Sequence, residues 1–137
     1  MNEKDLLAEL ARARESLQAA QVLQEKGLFA DAVSRSYYAV MHVTRAALLA
    51  HDTVAESHTA VRRLFGQVLV RPGHIEKEWA AVLARGQTQR IAADYDAEIT
   101  WDSATSAGLI EEAKAFVQRI HMHLKSIGVA VPEEGEG

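Results

Sequence analysis

The chain has 137 residues, 48% of them hydrophobic, a formal net charge of −4 and no cysteine. That length suits one compact domain able to bury about two thirds of its unfolded surface, and the lack of cysteine excludes a disulfide scaffold and fits a reducing compartment, the cytoplasm by default. The acidic balance argues against a general nucleic-acid coat protein, and with no stretch near the roughly 18 apolar residues of a membrane span and a charged, amphipathic start, MNEKDLLAEL, a soluble, retained protein is expected.

In chain order, Leu6, Leu10, Ala13, Leu17 and Ala20 recur at three- and four-residue spacing, which predicts a first helix from about Glu3 to Lys26, stopped by Gly27. A second runs from near Phe29 to about His51, where HDTVAES supplies turn residues. Ser57 is placed to cap a third helix with Val61, Leu64, Phe65 and Val68 on its apolar side. RPG at Arg71–Gly73 ends it, because proline lacks a backbone donor and disfavours helix in the residue before it. A fourth helix is expected from about Ile75 to Ala93, and after the loop DYDAEITWD a last one capped by Asp102 or Ser103, with Ser106, Ile110, Ala113, Val117, Ile120, Leu124 and Ile127 on one stripe. No strand pattern or internal repeat competes. The expected fold is all-α, an antiparallel up-and-down bundle of about five helices joined by short loops, forming one domain over residues 1–128 with an acidic, disordered tail over 129–137.

Charge is unevenly spread. Residues 1–54 hold 6 basic and 7 acidic side chains, 55–90 hold 6 and 3, and 91–137 hold 3 and 9. The basic middle third, with Arg62, Arg63, Arg71, Arg85 and Arg90, reads either as an anion-attracting surface or as an ordinary solvated helix face.

The second helix carries the chemistry. Phe29, Val33, Tyr37, Val40, Thr44 and Ala47 form one stripe, sufficient to pack against a bundle; Arg35, Tyr38, His42, Arg45 and Leu49 form another. Seven residues of α-helix are 700° of turn, so Arg35 and His42 point within about 20° of each other, roughly 10.5 Å apart along the axis. An arginine fork holds two phosphate oxygens and a histidine moves a proton near neutrality. Together they have the chemistry to cleave RNA without a metal: the imidazole takes or gives the proton, and the guanidinium offsets charge building on phosphorus. Spacing alone does not separate this from chance.

SRSYYAVMHVTRAALLA, followed by SHTAVRRLFGQVLV and RGQTQRIAADYD, resembles the HEPN-domain family, specifically its small stand-alone bacterial and archaeal members, over about Leu6 to Leu124. The resemblance implies a helical bundle, usually dimeric, whose signature of arginine, four to six residues and histidine falls on Arg35 and His42. In members with ribonuclease activity this pair is a metal-independent active site at the dimer interface, and many are toxins paired with a nucleotidyltransferase-type antitoxin. What it implies here is an RNA substrate and catalysis by Arg35 and His42; the second stripe adds Tyr38 and Arg45, with Ser36 and His58, as substrate contacts, and its mix of polar and apolar residues fits a homodimer in which Ala46 and Leu49 meet their copies. Two positions depart from the pattern: Ser36 stands where Asn or Asp is common, and Thr44 where some toxins carry a tyrosine modified by the partner.

Arg90, Asp94 and Tyr95 also match, and are read as an ion pair and an aromatic anchor closing the fourth helix. Trp79 and Trp101 read as bundle-end packing. His121 and His123, two apart on a helix, point about 200° from each other and cannot jointly chelate; none of the six histidines follows a Glu by three, so the di-iron pattern is absent. No metal or cofactor is expected. Two functions from different classes remain: an endoribonuclease, toxin-like, or a non-catalytic module that binds a nucleotide or a nucleotidyltransferase partner.

Overall fold

In the computed structural model, which describes residues 2–132, the chain forms five α-helices. They are α1 (Glu3–Glu25), α2 (Phe29–Ala50), α3 (His58–Leu64), α4 (Glu78–Tyr95) and α5 (Ser103–Ser126), with a π-helical segment, Phe65–Val70, continuing α3. The all-α bundle expected from the periodicity is what forms. Each boundary has a local cause. Asn2, Ser57 and Asp102 cap α1, α3 and α5, their side chains accepting from the backbone N–H of Asp5, Ala60 and Thr105. Gly27, at φ 77°, takes the left-handed turn that joins α1 to α2.

The π segment has a reason in the sequence. Val61, Phe65 and Leu69 are all fully buried, and a strict four-residue spacing drifts by about 40° per step on a regular α-helix. A wider turn absorbs part of that drift and keeps all three on the core. The chain then turns through Pro72 and Gly73, and Ile75, placed in the fourth helix by its pattern, instead seals the core from the turn, its N–H bonded to the Leu69 carbonyl. Helix α4 consequently starts three residues late.

Helix α2 is the centre of the bundle. Thirteen of its residues are buried, with α1 and α5 on one side and α3, the π segment and α4 on the other. Phe116 joins Phe65 and Trp79 in an aromatic group, its ring centroid 5.8 Å from each of theirs. Val129 and Val131, beyond Gly128, pack against the core; residues 133–137 of the expected tail lie outside the described residues.

Three histidines from separate elements meet at the end of α2. His51 Nε2 and His123 Nε2 are 2.9 Å apart with ring planes 9° from parallel, so one imidazole N–H donates to the other's lone pair. The His74 ring centroid is 4.8 Å from His51 and 5.0 Å from His123. His123 is 4% exposed; burial, then His51 and His74, push it down to about 4 from an ordinary 6.5. Burial and His74 lower His51 in the same direction. The unfolded chain therefore binds more protons than the folded one between these limits. For His123 stability is full above about pH 6.5 and falls toward pH 4, by up to about 1.4 kcal/mol per pH unit, and His51 acts in the same direction. Urea unfolding across this range should show the slope, and His123→Gln should flatten it; an unchanged slope in that variant would place the titration elsewhere.

Candidate active site

The second stripe of α2 is the part of that helix its neighbours leave open. Arg35 is exposed, and Tyr38, His42, Arg45 and Leu49 are half-buried. On one flank α1 supplies Glu9, whose Oε2 lies 2.7 Å from His42 Nδ1. An ionised carboxylate only accepts, so Nδ1–H donates, and in the neutral imidazole it is Nε2 that carries the lone pair. Both side chains are about a quarter exposed, so the pair is ordered by its surroundings yet reachable. A carboxylate that fixes one tautomer and orients the ring is the support a proton-transferring histidine needs.

On the other flank lie α3 and α4. The Tyr37 hydroxyl, on a ring 3% exposed, donates to Gln87 Oε1 at 2.5 Å and accepts from His58 Nδ1 at 2.9 Å. The His58 ring stacks on Tyr37 at 5.7 Å and 13°. Burial pushes the Tyr37 phenol up to about 12, keeping it a donor, while burial and the charges of Arg90 and Arg45 lower His58. Arg90 pairs with Asp94 at 3.3 Å and lies 5.8 Å from the Tyr38 ring centroid. Arg35 lies 5.7 Å from the same centroid. Arg45 Nε and Arg90 Nε are buried without a hydrogen-bond partner.

Gly86 makes this seat. A Cβ there would come within 2.8 Å of Tyr37 Cδ1, so α4 approaches the ring only because the position is glycine. Gly86→Val should cost about 1–3 kcal/mol by overpacking and displace the His58 ring with Tyr37. Thermal unfolding measures the first effect and the His58 imidazole resonances the second; a wild-type melt would mean the ring relaxes freely.

Several sequence expectations change. Ala46, taken as an interface residue, is fully buried in the chain's own core, so it cannot meet a second copy in this fold. Leu49 is half-buried against that core and keeps some exposure. Ser36, taken as a substrate contact, is 4% exposed, and its hydroxyl donates to the Val33 carbonyl at 2.8 Å. Tyr95 is 77% exposed and anchors nothing. Arg90 and Asp94 do form the expected ion pair, but the fold also carries Arg90 to His58 and Tyr38. Of the other basic-third arginines, Arg85 is paired with Glu112 at 2.6 Å, while Arg62 and Arg63 are exposed. Glu9 was not foreseen: on α1 it reads as one more acid beside the buried Leu6–Leu10 face, and only the α1–α2 packing gives it a partner 33 residues on. Among the described residues, no group of three or more His, Cys, Asp or Glu is arranged to hold a metal ion, and no helix is long and apolar enough to cross a membrane.

The chain is thus an all-helical bundle with Arg35 and His42 on the open stripe of its central helix. The HEPN domain family model matches residues 8–126, and the chain belongs to that family. It is 34% identical over 124 residues to a protein of Methanocaldococcus jannaschii named "Putative toxin", covering 90% of this chain and 92% of that one. It is 39% identical over 108 residues to a "UPF0332 protein" of Gloeobacter violaceus, covering 78% and 86%. A second Methanocaldococcus jannaschii protein, also named "Putative toxin", is 25% identical over 117 residues, covering 85% and 80%.

Proposed function

We propose that this chain is a metal-independent endoribonuclease of the toxin-like HEPN kind, with Arg35 and His42 as its catalytic pair. The carrying observation is the 2.7 Å contact between Glu9 and His42 Nδ1, which leaves Nε2 free to take the proton of a 2′-hydroxyl while Arg35 offsets charge on the phosphate. Attack of the 2′-oxygen on phosphorus breaks the bond to the 5′-oxygen, which leaves with a proton, and yields a 2′,3′-cyclic phosphate. DNA lacks the attacking hydroxyl and is spared. Tyr38, Arg45 and His58 flank the path of the substrate.

The active form is a homodimer. A stripe mixing Arg35, Tyr38, His42 and Arg45 with Leu49 is too polar for a core and too apolar to be left wholly to water, and a two-fold contact places it against its own copy. Two Arg/His pairs then line one cleft, which offers an RNA backbone more positive charge than one acidic chain does. The names of two of the relatives support a toxin role; the partner that goes with it is an antitoxin, of the nucleotidyltransferase type that the family resemblance implies. Purified protein incubated with RNA and with DNA in EDTA tests the chemistry: RNA cut to cyclic-phosphate ends with DNA intact is the expected result. Cleavage that strictly requires a divalent metal would overturn the mechanism, and binding without cleavage would favour a non-catalytic binding module.

A further inference from the structure

Arg45 and Arg90 are unexplained by the catalytic pair. They approach from different helices, α2 and α4, and each buries its Nε without a partner. An unsatisfied buried donor is costly, and here there are two, both on charged groups. Arg90 has Asp94, at the long distance of 3.3 Å and through Nη1; no carboxylate faces Arg45 among the described ion pairs. Arg35 and Arg90 both lie against the Tyr38 ring, and the charge of Arg62 also reaches Tyr37. In a chain of net charge −4, two guanidiniums lie against the Tyr38 ring, the charge of Arg45 reaches Tyr37 and His58, and among the described ion pairs Asp94 is the carboxylate that offsets any of them. A bound anion would offset this concentration of positive charge.

Position decides which anion. His42 is held toward α1 by Glu9, whereas Arg90 of α4 lies beside Tyr37 and Tyr38, and on α2 Arg45 is two turns beyond Tyr38, within about 20° of its direction and turned about 60° from His42. A phosphate held there is not the one at which His42 acts. We infer that Arg45 and Arg90, across the Tyr38 ring from the Glu9–His42 pair, hold a second backbone phosphate of single-stranded RNA, next to the scissile one. This rests on the ribonuclease reading for the identity of the strand, but the anion site stands on its own geometry. Two planar forks fit a phosphate's oxygens, and the Tyr38 face offers a surface for a base between the two phosphates. The bound phosphate would also restore the proton affinity that the arginines take from His58.

A fluorescent 2′-O-methyl oligoribonucleotide, which cannot be cut because its 2′-oxygen is blocked, serves as the probe, read by anisotropy across a salt series. Arg45→Gln and Arg90→Gln should each weaken binding about tenfold or more and lower the slope of log K against log salt by about 0.7 per arginine. Lys125→Gln, at the far end of α5, should bind as the wild type does. Wild-type affinity and slope in the folded Arg45→Gln protein would overturn the site, and because Arg90 packs on Tyr37, Arg45→Gln decides alone if Arg90→Gln fails to fold. Failure of the wild type to bind the probe, or binding of ATP in its place, would overturn it too. Wild-type protein that binds the probe through these arginines yet leaves unmodified RNA intact in EDTA would keep the phosphate site and remove the ribonuclease.

Discussion

Replacing His42 with alanine is expected to slow RNA cleavage in EDTA by about 10²- to 10⁴-fold, the range a positioned proton-transfer group supplies, while leaving the protein folded because the imidazole is not a core residue. Glu9→Gln sharpens the test. The amide still reaches His42 Nδ1 but offers a donor as well as an acceptor, and it removes the negative charge that stabilises an imidazolium. Its expected effect is smaller than that of His42→Ala, and it should fall on the turnover step rather than on RNA affinity. Arg35→Lys should also be damaging, since a point charge does not reproduce a bidentate fork. Equal degradation by wild-type and His42→Ala preparations would reveal a contaminant or another site. Full activity in Glu9→Gln would show that the contact only ties α1 to α2.

The bundle was legible because its signals are local. Spacing marked the apolar faces of α1, α2 and α5, and the caps Ser57 and Asp102 were identifiable as short side chains preceding such faces. What failed was any reading that depends on how far a neighbour wraps around a helix. Ala46 lies about 40° around α2 from His42, close enough to be grouped with the open stripe, but the packed bundle covers it. Ser36 was placed by its position after Arg35, although a serine inside a helix commonly returns its hydroxyl to the carbonyl a turn earlier, as here with Val33. Glu9 and Arg90 lay beyond single-segment reasoning for the opposite reason. Each gains its role from a side chain 30 or more residues away, and no periodicity records such a pairing.

Glutamate at Ala46 and glutamate at Leu49 should have opposite consequences, and the contrast separates the fold from the proposed assembly. Ala46 is fully buried. Ionised there, a carboxylate would lack a partner, and neutralised it would still be too large for a space filled by a methyl group. Either route costs several kcal/mol, comparable with the total stability of about 5–15 kcal/mol for a domain of this kind. Ala46→Glu is therefore expected to unfold or aggregate, with the helical circular dichroism lost at ordinary temperature. At Leu49 the side chain is only half-buried, so its substitute can turn its charge to water and the fold should survive with a loss of about 1–2 kcal/mol. In a two-fold contact through the stripe, however, the two introduced carboxylates would face each other across the axis, and the dimer should dissociate while each chain stays helical. Light scattering and circular dichroism on the same samples distinguish the outcomes, and RNA cleavage should follow the dimer. A Leu49→Glu protein that remains an active dimer would move the interface off this stripe, and a folded Ala46→Glu protein with a wild-type melt would contradict the packing of α2 itself.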